Sequence, residues 1–308
     1  MESKGRRLKA LIDAAGILVL PGVYDGFSAR LLAASGFKAG FVTGAGVSEA
    51  SLGWADRGVM GFEENLRVCR ALVGCCELPL LADGDTGYGN AVNVHFTVKG
   101  FERAGLAGLM IEDQVWPKRC GHMRGKEVIP AEEAVEKVRA AAEARADPDF
   151  VVMSRTDALA THGIGEAIRR LNLYAEAGAD LLFADALLAV DDIRTVVRNV
   201  AKPVCVNMGF GIRRRATTPL LSAKQLEDLG VAVVIYPRLL TAAAIKGMQN
   251  ALAALADSLA SGEPADRPDL LVSFEELNAL MGEPELDRLD RRYLTPERLG
   301  TKHRRVAE

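Results

Sequence analysis

An α/β fold, a (β/α)8 barrel of the TIM-barrel class with a C-terminal helical extension, follows from three features of the sequence. Short aliphatic and β-branched runs recur eight times, each is followed by a turn containing Gly, Asp or Asn, and amphipathic stretches fill the intervals. The runs are 17–22, 39–44, 78–84, 108–113, 150–158, 181–186, 203–208 and 231–237. They are apolar almost throughout rather than alternating, as parallel strands covered on both faces must be. Helical periodicity falls at 63–76, 91–104, 131–145, 165–177, 190–200, 222–229 and 238–260, and Ser222 with Gln225 forms a capping box for the seventh segment. Eight units close into a barrel, whereas an open doubly wound sheet has fewer strands. After the first strand, Pro21-Gly22-Val23-Tyr24-Asp25-Gly26 also lacks the glycine spacing of a dinucleotide fold.

The barrel accounts for residues 1–260 as one catalytic domain, and 261–308 forms a tail. Residues 261–269 have linker composition, Ser273 and Glu276 cap a short helix at 273–282, and the remainder is charged. Such a tail has little core of its own and must dock on the barrel, reach a neighbouring subunit or stay loose. The start of the chain reads as an amphipathic helix with Leu8, Leu11 and Ile12 on one face, not as a signal peptide. Net charge is −3 with both signs interspersed, which gives no electrostatic footprint for nucleic acid or an anionic membrane. No stretch approaches 18 uncharged apolar residues, so no membrane span is expected. Five cysteines without zinc-type spacing suit reduced thiols in a cytoplasmic protein.

Barrel enzymes place their active sites at the carboxyl ends of the strands. Those ends here are Asp83-Gly84-Asp85, Glu112-Asp113, Arg155-Thr156-Asp157, Asp185 and Asn207. Carboxylates converging from several strands repel one another and call for a cation. An oxygen-only set suits Mg²⁺, or Mn²⁺, better than zinc. After the fourth strand comes Lys118-Arg119-Cys120-Gly121-His122, a thiol among basic residues and glycines, the setting of a proton-exchanging group on a gating loop.

This last segment resembles the signature loop of isocitrate lyases and 2-methylisocitrate lyases. Pro21-Gly22, Thr43-Gly44-Ala45-Gly46-Val47, Asp83-Gly84-Asp85-Thr86-Gly87-Tyr88-Gly89, Ile111-Glu112-Asp113-Gln114 and Arg155-Thr156-Asp157-Ala158 are similar to that family in order and spacing, over 17–250. The resemblance to this superfamily, which includes phosphoenolpyruvate mutases and dimethylmalate lyases, implies roles. Asp85 is then the direct metal ligand, with Asp83 and Glu112 holding metal-bound waters and Asp56 close by. Backbone N–H groups of Thr43, Gly44 and Ala45 grip the carboxylate of an α-keto acid, with Tyr24, Asn207 and Thr218 also lining the substrate. Arg155 stabilises enolate charge, and Cys120 is the proton donor, tuned by His122, Lys118 and Arg119. The resemblance also implies a homotetramer exchanging a C-terminal helix.

Where the family usually carries Pro-Glu-Ala, this chain has Ala184-Asp185-Ala186, and a longer segment with Arg213, Arg214 and Arg215 precedes Thr218-Pro219-Leu220. An arginine run can bind an extra carboxylate or phosphate. The expected activity is metal-dependent retro-aldol cleavage of a 2-hydroxy di- or tricarboxylate, resembling 2-methylisocitrate or a substituted malate, to an α-keto acid and a carboxylic acid. The alternatives on the same barrel are phosphonomutase, phosphonopyruvate hydrolase, and oxaloacetate decarboxylase or hydrolase. Relatives without lyase chemistry usually lack the Cys-Gly-His loop, so Cys120 favours cleavage. A non-catalytic scaffold would have lost part of this set.

Overall fold

The computed structural model describes residues 2–120, 125–209 and 218–299. The chain begins with α1 (Lys4–Asp13), β1 (Leu18–Val23), α2 (Gly26–Ala34), β2 (Gly40–Val42), α3 (Gly44–Leu52) and α4 (Phe62–Cys75). It continues through β3 (Leu80–Asp83), α5 (Ala91–Arg103), β4 (Gly108–Glu112), α6 (Ala131–Ala144) and β5 (Val151–Thr156). A short α7 (Leu159–His162) precedes α8 (Ile164–Glu176), β6 (Leu181–Ala184), α9 (Val190–Asn199) and β7 (Val204–Asn207). The last elements are α10 (Ala223–Asp228), β8 (Val233–Tyr236), α11 (Leu239–Ser261), α12 (Phe274–Met281) and α13 (Glu283–Tyr293).

All eight strands run parallel, each beside the next, and β1 pairs with β8 to close the barrel. Strand residues alternate between two cores. Leu81, Met110, Val151, Met153, Phe183 and Cys205 fill the interior, where Leu8 and Ile12 of α1 join them. Ala82, Leu109, Ile111, Val152 and Leu182 instead pack outward with helix residues such as Leu66, Val98, Phe101 and Leu171. Side chains two apart share a face of a strand. Continuing the inward series past each hydrophobic residue gives Asp83 after Leu81, Glu112 after Met110 and Arg155 after Met153. It also gives Asp185 after Phe183 and Asn207 after Cys205. The outward series gives Asp113 after Ile111. This parity separates the residues that face the barrel mouth from those that brace it.

The capping boxes expected at Ser222/Gln225 and Ser273/Glu276 are both formed. Helices α2, α3 and α13 were not expected. The first turn of α3 is entirely buried, so its sequence, Gly44-Ala45-Gly46-Val47-Ser48, carries no amphipathic signal.

The chain divides into two compact units, 1–244 and 245–308. By length and composition α11 is apolar enough to cross a membrane, which the sequence reading did not anticipate because Lys246 and Asp257 interrupt the run. It follows β8 in the chain. Within the second unit its residues Ile245, Met248, Leu252, Leu255 and Leu259 are all more than half exposed.

Candidate active site

The inward-facing residues meet at the carboxyl end of the barrel. Asp83, Asp85, Glu112, Asp157 and Asp185 are all buried there, together with Lys118, Lys126 and Arg155. Asp85 adopts a left-handed backbone, φ 50°, which aspartate tolerates better than most residues. Its N–H donates to Asp83 Oδ1 at 3.0 Å, so the two acids are held in one turn. Asn65 braces that turn from α4, donating to the Asp83 carbonyl and to the Tyr88 hydroxyl, each at 2.8 Å.

Lys118 reaches into this cluster. Its ammonium lies 2.6 Å from Asp56 Oδ1 and 2.8 Å from Asp85 Oδ1. Burial alone would lower the Lys118 pKa, but Asp85, Glu112, Asp56 and Asp83 raise it well above the ordinary lysine value. The sequence reading took Lys118 as a basic neighbour of Cys120; the structure corrects this, since Asp56 and Asp85 engage its charge. Arg155 forms a fork on Asp157, with Nε and Nη2 each at 2.9 Å, and Nη2 also donates to Asp185 at 3.2 Å. Its Nε lies 3.3 Å from Glu112 Oε2, and its guanidinium sits 5.5 Å from the Phe183 ring centre. Lys126, which the sequence reading missed, donates to Asp157 at 2.6 Å and lies 3.8 Å from Asp185.

Asp113 has a different office. It accepts from Thr156 Oγ1 and the Asp157 N–H on the β5 side, and from Arg170 and the Tyr174 hydroxyl on α8. A carboxylate satisfied by four donors from neighbouring elements fixes where Asp157, and through it Arg155, stands.

Several rim oxygens lack such partners. Both Glu112 oxygens and Asp185 Oδ1 are buried without a hydrogen bond, and Asp85 Oδ1 has Lys118 at ion-pair distance but not in hydrogen-bonding alignment. Burial raises Glu112 well above its ordinary pKa and pushes Asp85 up to about 7, against the pull of Lys118 and with Asp83 and Asp56 adding to the rise. Buried oxygen acceptors of this kind fit a hard divalent cation. Among the described residues no three His, Cys, Asp or Glu side chains converge tightly enough to enclose an ion alone. The donor chemistry suits Mg²⁺ or Mn²⁺, and Asp85, Asp83 and Glu112 are the residues that would hold it, directly or through its waters.

A stability prediction follows for the metal-free protein. The folded Asp85 holds its proton up to about pH 7, the unfolded chain only to about pH 3.9. Between these values the native state binds more protons, so stability falls as pH rises across the window. Adding Mg²⁺ is expected to raise the melting temperature more at pH 8 than at pH 5, as differential scanning fluorimetry would read.

Thr43, Gly44 and Ala45 form the N-terminal end of α3, where Thr43 is the N-cap and accepts from the Gly46 N–H at 3.3 Å. N–H groups in the first turn of a helix lack an intrahelical acceptor, which suits such a terminus to an anion. Gly44 leaves no free room for a side chain, because a Cβ there would lie 2.9 Å from Asp83 Oδ2. Gly44→Ala is expected to displace Asp83 and raise the KM for the metal several-fold, measured by Mg²⁺ titration of activity. Tyr24 is buried at the end of β1, beside Gly46, and burial together with Asp25 raises its pKa. Asn207 ends β7 at the same rim, and Thr218 is buried in the segment before α10.

The loop that leaves β4 is tied down at its stem. The Gln114 side chain donates to the Arg119 carbonyl and accepts the Arg119 N–H, across a cis Trp116–Pro117 peptide. The Cys120 N–H donates to the Asp56 carbonyl at 3.2 Å. The main chain at Cys120 is thereby tied to that at Asp56, whose carboxylate joins the cluster through Lys118. His122 and Arg213–Arg215 lie outside the described residues.

A closed parallel barrel with buried acids, a forked arginine and a rim cysteine at its carboxyl end defines a lyase or mutase of small carboxylates. The phosphoenolpyruvate phosphomutase family pattern matches residues 8–256. The chain belongs to the phosphoenolpyruvate mutase/isocitrate lyase superfamily. It is 38% identical to 2,3-dimethylmalate lyase of Eubacterium barkeri, over 94% of this chain and 98% of that protein. It is 40% identical to 2-methylisocitrate lyase of Escherichia coli K12, over 77% and 79% of the two chains. Among solved structures, a phosphonopyruvate hydrolase complex with oxalate and Mg²⁺ superposes with a TM-score of 0.84 at 30% identity, covering 96% of this chain and all of that one.

Proposed function

We propose that the protein is a Mg²⁺- or Mn²⁺-dependent carbon–carbon lyase that cleaves a 2-hydroxy di- or tricarboxylate, of the dimethylmalate or 2-methylisocitrate type, to an α-keto acid and a carboxylic acid. The observation that carries this reading is the seat of Cys120, hydrogen-bonded through its N–H to Asp56 beside the carboxylate cluster. Migration of a phosphoryl group from carbon to oxygen within one substrate needs no acid to protonate carbon, whereas cleavage to a carbanion does.

The residues divide the work. The N-terminus of α3 binds the carboxylate of the nascent keto acid through the Gly44 and Ala45 N–H groups. Arg155, locked by Asp157 and Asp185, presents a fixed positive charge to the developing enolate oxygens. A divalent cation held by Asp85, Asp83 and Glu112 would supply Lewis-acid stabilisation of the negative charge that develops. Burial and Asp25 raise the Tyr24 pKa, which makes it a poorer base; the proton of the substrate hydroxyl is assigned to a rim carboxylate. The carbon–carbon bond then breaks with its electron pair moving onto the departing carboxylate fragment, and Cys120 protonates that carbon.

The exposed apolar residues of α11, spaced three and four apart, make a coiled-coil-like seam and support association of copies into a tetramer through the C-terminal unit. The second reading, hydrolysis or mutation of a phosphonate or oxaloacetate cleavage, is favoured by the likeness to phosphonopyruvate hydrolase. Purified protein given Mg²⁺ and a panel of 2-hydroxy di- and tricarboxylates should release a keto acid, and EDTA should stop it. Turnover of oxaloacetate or phosphonopyruvate alone would favour the second reading.

A further inference from the structure

Arg238 lies between Tyr236, the end of β8, and Leu239, the start of α11, more than a hundred residues from the catalytic loop in sequence. Its Nη1 donates to both oxygens of Glu49 on α3, at 2.6 and 2.8 Å. Its Nη2 faces Cys120 Sγ at 4.0 Å. The side chain is a quarter exposed, and Glu49 only slightly more. One guanidinium therefore connects three parts of the site: the end of β8, the helix that offers the anion-binding N-terminus, and the loop that carries the thiol.

We propose that Arg238 is the positioning residue for Cys120. It holds the sulfur at the barrel mouth and stabilises the thiolate left after proton donation; the inference rests on the lyase reading. Glu49 fixes the plane of the guanidinium, so the second amino group is aimed rather than free to rotate. In the transfer, the S–H bond breaks, its electron pair stays on sulfur, and the proton forms the new C–H bond of the product; solvent later returns a proton to sulfur. The negative sulfur then faces a cation that cannot itself lose its charge. Lys118 is not placed for this, since Asp56 and Asp85 hold its ammonium. Among the described residues, the charged groups on the two loops that meet at Cys120 include Arg119, Lys126 and Glu127 on its own loop and Asp56 and Arg57 on the other. An arginine is required, because a lysine ammonium reaches either Glu49 or the sulfur but cannot fork to both.

The test uses the full chain without substrate. Cys120 alkylation by iodoacetamide at fixed pH 6.5 is followed by peptide mass spectrometry, in the native protein, Arg238→Gln, Arg238→Lys and Glu49→Gln. Cys75, half-buried and remote, serves as the internal control. Without the guanidinium facing it the sulfur loses a stabilising cation, so Arg238→Gln should slow Cys120 labelling about threefold. Arg238→Lys and Glu49→Gln should fall between, Cys75 should be unaffected, and kcat should drop while KM stays nearly constant. Unchanged Cys120 labelling in Arg238→Gln with a native melting temperature overturns the proposal. Slowed labelling in a protein that cleaves no hydroxy acid sustains the placement of Arg238 and sinks the lyase reading instead.

Discussion

Cys120→Ser should lower kcat by about 10²–10⁴-fold, the range by which a positioned proton donor accelerates a reaction. Serine nearly matches the side chain in shape, and the N–H bond to the Asp56 carbonyl belongs to the backbone, so the loop stem is preserved. What changes is the acid: a hydroxyl holds its proton far more tightly than a thiol and cannot deliver it to an enolate carbon at neutral pH. KM should move little, because no substrate-binding group is removed. Steady-state release of keto acid measures both constants, and a melting curve checks that the fold is intact. Turnover within threefold of the native enzyme would mean that no proton passes through Cys120, and the phosphonate or oxaloacetate chemistry would become the better assignment.

Arg155→Gln should cost both catalysis and stability. Loss of a preorganised charge at a developing oxyanion lowers kcat by about 10²–10³-fold. Removing one partner of a buried ion cluster destabilises by about 3–5 kcal/mol, because the remaining charges stay buried. Here the abandoned groups are Asp157, Asp185 and Glu112, with Lys126 the cation left facing the first two. Burial would raise the Asp157 pKa, but Arg155 and Lys126 hold it below the ordinary carboxylate value. A carboxylate with a depressed folded pKa contributes stability that is fully present above its unfolded value, about 3.9, and is lost as pH falls through the folded one. The destabilisation by Arg155→Gln should therefore be larger at pH 7 than at pH 4 in urea titrations. Equal losses at the two pH values would show that the guanidinium matters through packing on Phe183 instead.

The sequence displayed most of the barrel and about half of the site. The eight strands were visible because strands covered on both faces are apolar without interruption, and the acids at their ends stood out against that background. Once Leu81, Met110, Met153, Phe183 and Cys205 are seen to point inward, the parity of Asp83, Glu112, Arg155, Asp185 and Asn207 follows by counting. Asp113, one residue past Glu112, could have been set apart by the same count. The missed features are of two kinds. Helix α3 begins wholly buried and so leaves no periodic trace. Lys126 and Arg238 act through partners 31 and 189 residues away, Asp157 and Glu49, and a pairing across such separations has no local signature. Lys118 was noticed for the wrong reason: its position next to Arg119 and Cys120 suggested a basic patch, while its side chain turns inward to Asp56 and Asp85.

Closure of the barrel between β1 and β8 bears on how this chain behaves in a crowded solution. Every strand has a neighbour on either side, so the sheet exposes no unpaired ribbon of N–H and C=O groups onto which another chain could add. Runaway growth by strand addition is excluded as long as the barrel stays shut. Among the described residues, the surfaces left to meet another copy are helices and loops, whose contacts are finite in extent and can be saturated by a closed, countable assembly.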